Sequence, residues 1–186
     1  MRLNTPTILT LGRVAVIPVV LGLFYVDWPP ARHVAALLFM AAAFTDWLDG
    51  YLARRWNQTS GFGAFLDPVA DKLMVAVALV LIVSQDSRPV MVLTAVVIIG
   101  REIAISALRE WMAGIGQRTA VAVSRIGKYK TILQMTGLTM LLYHHDLLGL
   151  PIYELGQWLT IVAAALTLFS MALYLRAAWP HLRATP

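Results

Sequence analysis

Residues 45–72 read TDWLDGYLARRWNQTSGFGAFLDPVADK, and this stretch differs from the rest of the chain, which is rich in Ala, Val, Leu and Ile. It holds four of the protein's ten acidic residues, which are Asp46, Asp49, Asp67 and Asp71. A carboxylate in apolar surroundings is costly unless it is paired, hydrogen-bonded or bound to a metal. The stretch therefore indicates a functional site.

The composition of the 186-residue chain is that of a membrane protein. It is 59% hydrophobic and only 13% charged, whereas soluble domains carry about 25% charged residues. The net charge is +5, and in so apolar a chain basic residues usually mark cytoplasmic loops and anionic lipid contacts. The absence of cysteine excludes disulfides and thiolate metal sites. We expect one domain over 1–186, no nucleic-acid partner and no cleaved signal peptide.

Six apolar segments are long enough to cross a bilayer, which takes about 20 residues. They are predicted at 7–26, 33–53, 65–84, 89–108, 129–144 and 152–175. The predicted fold is an all-α, polytopic membrane protein with six transmembrane helices. Six spans put both termini on one side, and 13 of the 15 Lys and Arg residues fall at or nearer that side. The positive-inside rule then predicts cytoplasmic N- and C-termini.

The spacing of the aspartates predicts how they come together. Asp46 and Asp49 are three residues apart, and Asp67 and Asp71 are four apart, so each pair shares one face of a helix. The short connection predicts an antiparallel hairpin of spans two and three, which places both pairs at one depth. Carboxylates this close need counter-charge, and oxygen donors suit Mg²⁺, Mn²⁺ or Ca²⁺. Two such cations can clamp both oxygens of a phosphoryl displacement.

Other interpretations of these acids are open at this point. They could solvate a cytoplasmic loop, form a salt-bridge network with Arg54 and Arg55, or serve a small cation transporter. A transporter would place its acids near mid-membrane in two symmetric halves, whereas these acids lie at one end of two adjacent spans. The motif His144-His145-Asp146 falls at the predicted external end of span five and is interpreted as an interfacial turn rather than a metal cluster.

The full spacing, Asp46-x2-Asp49-Gly50-x2-Ala53-Arg54-x8-Gly63-x3-Asp67-x3-Asp71, resembles the signature of the CDP-alcohol phosphotransferases without a departure. The likeness extends to NTPTILTLGRV, REIAISALREWMA and SRIGKYKT, and so to most of the chain. The resemblance implies a six-span enzyme of the bacterial inner membrane, usually a homodimer, that uses two divalent cations, Mg²⁺ or Mn²⁺.

The resemblance also implies roles for individual residues. Asp46 and Asp67 would bind both cations, Asp49 would bind one, and Asp71 would bind the other and act as catalytic base. The residues that match contacts to CDP-diacylglycerol are Thr10, Arg13, Gly50, Arg54, Ser60 and Gly63.

The acceptor alcohol is read from a basic cluster and from the likeness over the whole chain. We expect glycerol 3-phosphate, with its phosphate held by Arg109, Arg118, Lys128 and Lys130. The aspartate signature alone does not separate this acceptor from serine, inositol, inositol phosphate or phosphatidylglycerol. Arg101 and Glu102 lie deeper in span four, and we expect them to pair with each other or across helices rather than to bind substrate.

Overall fold

The computed structural model describes residues 5–56, 61–116 and 125–184, and nearly all of them are helical. The helices are α1 (Thr5–Tyr25), α2 (Ala31–Trp56), α3 (Gly61–Gln85), α4 (Pro89–Gly114), α5 (Arg125–Tyr143) and α6 (Ile152–Ala184). Within these ranges no strand forms, and an isolated bridge joins Leu147 to Leu150. The predicted all-α fold and its six helices are therefore confirmed.

Three of the described helices have both the length and the apolar composition to cross a bilayer, over Thr7–Tyr25, Pro89–Gly114 and Ile152–Pro180. This fits a multi-pass membrane protein. The helices run past the predicted spans, and α6 continues to Ala184. The difference has a simple cause: the span prediction counts apolar residues, whereas backbone hydrogen bonding continues into polar helix ends.

The helix boundaries follow from local backbone chemistry. Pro89 begins α4 after Arg88, whose φ of −55° and ψ of 139° are non-helical, and proline suits this position because its missing N–H has no partner there anyway. The turn between α5 and α6 contains positive φ values at His144, Leu148 and Gly149. These values end α5 and reverse the chain direction.

The helices α5 and α6 pack closely because two glycines lie between them. A Cβ added to Gly156 would lie 2.9 Å from the Met140 Cβ and 3.0 Å from the Gly137 carbonyl oxygen. Small residues let membrane helices approach to this distance. The close pair α5–α6 supports the cluster of buried side chains at the bundle centre, which includes Leu79, Ile98, Leu138, Leu141 and Leu142.

The helix α1 packs against both α2 and α3, and its contacts set their directions. Arg13 contacts α2 at Asp46, while Phe24, further along α1, contacts Arg32 near the start of α2, so α1 and α2 run antiparallel. Arg13 also contacts Asp71 of α3, and Thr10 contacts Asp67, so α1 and α3 run parallel. Helices α2 and α3 are therefore antiparallel, as predicted. The packing of α1 against both aspartate-bearing helices was not predicted.

Candidate active site

Arg13 of α1 joins the two aspartate-bearing helices. Its Nη1 lies 2.5 Å from Asp46 Oδ1 and 2.5 Å from Asp71 Oδ1, and its Nη2 lies 3.6 Å from Asp67 Oδ1. One turn earlier in α1, the Thr10 hydroxyl donates a hydrogen bond to Asp67 Oδ1. The structure thus brings together three of the four signature aspartates and two of the residues predicted to contact CDP-diacylglycerol.

The cation of this cluster is buried and its carboxylates are open. The Arg13 side chain is 1% exposed, whereas those of Asp46, Asp67 and Asp71 are 36%, 43% and 41% exposed. One guanidinium offsets one of three carboxylates, so two formal negative charges remain among these groups. The exposed oxygens can therefore accept a further cation from outside the bundle.

For several predicted site residues, the structure describes only the backbone or does not describe the residue at all. Asp49, Gly50 and Arg54 belong to α2 and Lys128 to α5, but their side chains are outside the described part. Ser60 and Arg118 lie wholly outside the described residues. Gly63 is buried near the start of α3, one turn before Asp67.

The chemistry of the aspartate cluster suits a hard divalent cation, since all its described donors to a metal are carboxylate oxygens. Among the described side chains, no group of three or more His, Asp or Glu residues is arranged to hold a metal ion. Their carboxylates instead converge on the guanidinium of Arg13. The carboxylate oxygens are thus chemically suited to a divalent cation. In the structure, Asp46, Asp67 and Asp71 share the guanidinium of Arg13 as their cation.

A second polar cluster joins α4, α5 and α6. Glu102 Oε1 accepts hydrogen bonds from Arg101 Nη1 at 2.8 Å and from Lys130 Nζ at 2.9 Å. Arg101 Nη2 also donates to Ser170 Oγ at 3.3 Å. The predicted pairing of Arg101 and Glu102 is confirmed. The expected pairing across helices is confirmed as well, because Glu102 of α4 binds Lys130 of α5. The sequence did not name Lys130 as the partner, although an acid flanked by apolar turns of α4 is a signal that it needs a cationic partner.

Of the residues predicted to hold the acceptor phosphate, Arg109 and Lys130 are described in full. Arg109 Nη2 donates to the Tyr174 hydroxyl at 3.2 Å, and its guanidinium lies 5.3 Å from that ring centroid. Lys130 is buried. The Nε atoms of Arg101 and Arg109 are buried without a hydrogen-bond partner in the described structure. Buried donors of this kind are uncommon, and an anion could accept from them.

A third polar cluster lies just after the C-terminal end of α3, the end furthest from the signature aspartates. Asp86 accepts hydrogen bonds from Arg88, from the Tyr153 hydroxyl at 2.7 Å and from Gln157 Nε2 at 2.9 Å. Hydrogen bonds from Arg88 hold the pKa of the Asp86 carboxyl well below its usual range. The cluster ties the α3–α4 turn to α6.

The motif His144-His145-Asp146 lies in the turn after α5 and packs through its rings. His145 stacks on His33 at 4.9 Å between centroids, and His144 meets the edge of Tyr153 at 4.7 Å. Burial lowers the pKa of His144. The motif therefore lies in the turn between α5 and α6, as predicted.

Comparison with known proteins agrees with the signature. The family model for CDP-alcohol phosphatidyltransferase matches residues 3–169. A relative from Salmonella choleraesuis (strain SC-B67) is 52% identical over 178 residues, which are 96% of each chain. A relative from Yersinia pestis (strain Pestoides F) is 52% identical over 183 residues, 98% of each chain. Both are named CDP-diacylglycerol–glycerol-3-phosphate 3-phosphatidyltransferase. The chain therefore belongs to the CDP-alcohol phosphatidyltransferase family.

Proposed function

We propose that the protein transfers the phosphatidyl group of CDP-diacylglycerol to sn-glycerol 3-phosphate, giving phosphatidylglycerophosphate and CMP. The observation that carries this proposal is the convergence of Asp46, Asp67 and Asp71 on one buried cation, in a chain that is 52% identical over nearly its full length to relatives named for this reaction.

The catalytic base of the proposed reaction is Asp71. Its carboxylate is 41% exposed and takes the proton of the attacking hydroxyl of glycerol 3-phosphate. The acceptor oxygen forms a bond to the phosphatidyl phosphorus, and the bond from that phosphorus to the oxygen of CMP breaks. CMP leaves with the electron pair of the broken bond.

Two divalent cations, Mg²⁺ or Mn²⁺, complete the proposed site, and the family generally depends on such cations. Asp46 and Asp67 would hold both cations, with Asp49 on one and Asp71 on the other. When bound, the cations supply charge that offsets the pyrophosphate and the departing CMP.

Contacts to CDP-diacylglycerol are assigned to residues beside these aspartates. They are Thr10, Arg13, Gly50, Arg54, Ser60 and Gly63. Thr10 and Arg13 support this assignment, since both already contact signature aspartates. A guanidinium held at this point can donate to phosphate oxygens.

The acceptor phosphate is assigned to Arg109, Arg118, Lys128 and Lys130. Arg109 supports the assignment, because its buried Nε has no hydrogen-bond partner in the described structure and arginine recognises phosphate well through donors fixed in a plane. Lys130 would contact the phosphate while it remains bound to Glu102.

The proposed setting is the bacterial cytoplasmic (inner) membrane, with one domain over 1–186 that works as a homodimer. Both termini and the aspartate cluster would face the cytoplasm, which the bias of 13 among 15 basic residues supports.

The test is turnover by the purified protein in detergent, with labelled CDP-diacylglycerol and one acceptor at a time. CMP release that requires a divalent cation and glycerol 3-phosphate supports the proposal. Release with inositol phosphate, serine or phosphatidylglycerol instead would assign another acceptor. Absence of metal-dependent CMP release with every acceptor would leave the cation-transport interpretation in its place. Asp67→Ala is the control, because it should remove turnover with any acceptor.

A further inference from the structure

Arg13 occupies the point where the described carboxylates converge, although it belongs to neither of their helices. Its Nη1 is 2.5 Å from an oxygen of Asp46 and 2.5 Å from an oxygen of Asp71, which lie on α2 and α3. The Arg13 side chain is 1% exposed, so water screens it little. A residue of α1 thus serves as the shared counter-ion of two other helices.

A guanidinium and a divalent cation bind the same carboxylates, and the contacts of Arg13 already use Oδ1 of all three aspartates. Both bind the oxygen lone pairs, which are the only polar groups that an ionised Asp offers. A divalent cation on Asp46 or Asp71 would therefore lie a few ångströms from the positive charge of Arg13. Like charges at that distance in a partly buried site repel strongly.

We infer that Arg13 is a built-in counter-ion, which holds Asp46, Asp67 and Asp71 together before divalent cations bind and whose positive charge opposes the binding of those cations to the same carboxylates. The inference rests on the proposed function, because it requires that these aspartates bind divalent cations.

The counter-charge of Arg13 would keep the cluster assembled before divalent cations bind. Three carboxylates in reach of one another would separate or take up protons if nothing offset their charge. Arg13 offsets enough of that charge to keep the helices packed, and it leaves two formal negative charges that still attract a cation. With divalent cations on these carboxylates, Arg13 would have fewer carboxylate oxygens to pair with, and its donors would be available to the phosphates of CDP-diacylglycerol.

The test is Mn²⁺ binding to the full chain in detergent without substrate, with free Mn²⁺ measured by electron paramagnetic resonance. Arg13→Gln removes the competing charge, so its dissociation constant should fall at least about tenfold below that of the wild type. Arg176→Gln removes a charge from an exposed position of α6 and should leave the constant within about twofold. An unchanged or higher dissociation constant in Arg13→Gln would overturn the inference.

A second variant separates charge from shape. Arg13→Lys keeps one positive charge and should bind Mn²⁺ within about threefold of the wild type; a tightening equal to that of Arg13→Gln would overturn the inference. Thermal unfolding adds a readout if Arg13→Gln is unstable. Recovery of folded Arg13→Gln only when Mn²⁺ is present supports the inference, and failure to fold with or without Mn²⁺ contradicts it.

The same titration distinguishes this inference from the proposed function. Asp67→Ala should lose Mn²⁺ binding if the aspartates hold the metal. If the wild type binds no Mn²⁺, or Asp67→Ala binds it normally, the metal site fails and the inference fails with it. If both behave as expected while Arg13→Gln matches the wild type, the inference alone is wrong.

Discussion

Lys130 of α5 lies 2.9 Å from Glu102 of α4 through its Nζ and Oε1 atoms. Arg101 shares the same oxygen at 2.8 Å, so one carboxylate serves two cations. Both cations are buried, with side chains 8% and 5% exposed for Arg101 and Lys130. Arg101 and Lys130 therefore both depend on the Glu102 carboxylate to offset their charge.

The first prediction is that replacing Glu102 costs more stability than replacing Lys130. Glu102→Gln leaves two buried cations beside each other, and breaking buried pairs in this way costs roughly 3–5 kcal/mol, with the lower end expected here because Glu102 is 26% exposed. Lys130→Met leaves the Arg101–Glu102 pair intact and should cost less. Thermal unfolding in detergent measures both. Equal losses of stability in the two variants would contradict the shared role of Glu102.

The second prediction concerns Asp71. Asp71→Asn keeps the shape of the side chain but removes the base, so turnover should fall by roughly 10²–10⁴-fold. Binding of CDP-diacylglycerol should be partly retained, since the remaining aspartates are unchanged. Turnover is measured as CMP release and binding by calorimetry. Near-normal turnover in Asp71→Asn would show that another group takes the proton.

The sequence predicted the helices of this fold well because apolar length and turn residues act locally. Asp46 and Asp67 could be placed near each other for the same reason, since the short connection between their spans allows only an antiparallel arrangement. The role of α1 could not be predicted in this way. The contacts from Arg13 to Asp46 and Asp71 span 33 and 58 residues, and no local pattern reports which helix packs between two others.

The basic cluster shows the same limit. Charge alone marked Arg109 and Lys130 as a phosphate site, but the structure pairs them with Tyr174 and Glu102. Their partners lie on α4 and α6, so helix packing decides which donors remain available. A pattern of charged residues predicts the sign of the ligand's charge but not the atoms that bind the ligand.

The third prediction tests the close contact of α5 and α6. Gly156→Ala adds a Cβ 2.9 Å from the Met140 Cβ and 3.0 Å from the Gly137 carbonyl oxygen, so the helices must separate, at a cost of about 1–3 kcal/mol. Gly22→Ala in α1 is the matched control, because its Cβ would meet nothing within 4 Å. That control should be neutral or stabilising by up to about 1 kcal/mol. A similar melting temperature for the two variants would contradict the close packing.

The fourth prediction uses the lowered pKa of His144, which burial causes. A histidine whose pKa is lowered on folding destabilises the folded protein as the pH falls below its unfolded pKa of about 6.5, because the unfolded state then binds the proton more tightly. The groups around it are Tyr153, His145, Arg32, Asp86 and Glu154.

His144→Asn removes this titration and suits the positive φ of 66°. Its melting temperature should change less than that of the wild type between about pH 7 and pH 5. The same dependence on pH in both proteins would show that His144 does not titrate on unfolding in this range.

The fifth prediction is that Asp86 affects the pH dependence of stability at a lower pH than His144 does. Hydrogen bonds from Arg88, with that from Tyr153, lower the pKa of the Asp86 carboxyl. A carboxyl with a lowered folded pKa stabilises the protein fully above its unfolded pKa of about 3.9, and this contribution is lost as the pH falls through the folded pKa. Asp86→Asn should therefore melt below the wild type at pH 6, and the difference should shrink only below about pH 4. Melting curves of both proteins from pH 3 to pH 7 measure it. A difference that already vanishes near pH 6 would mean that titration of a histidine, and not of Asp86, controls this end of the bundle.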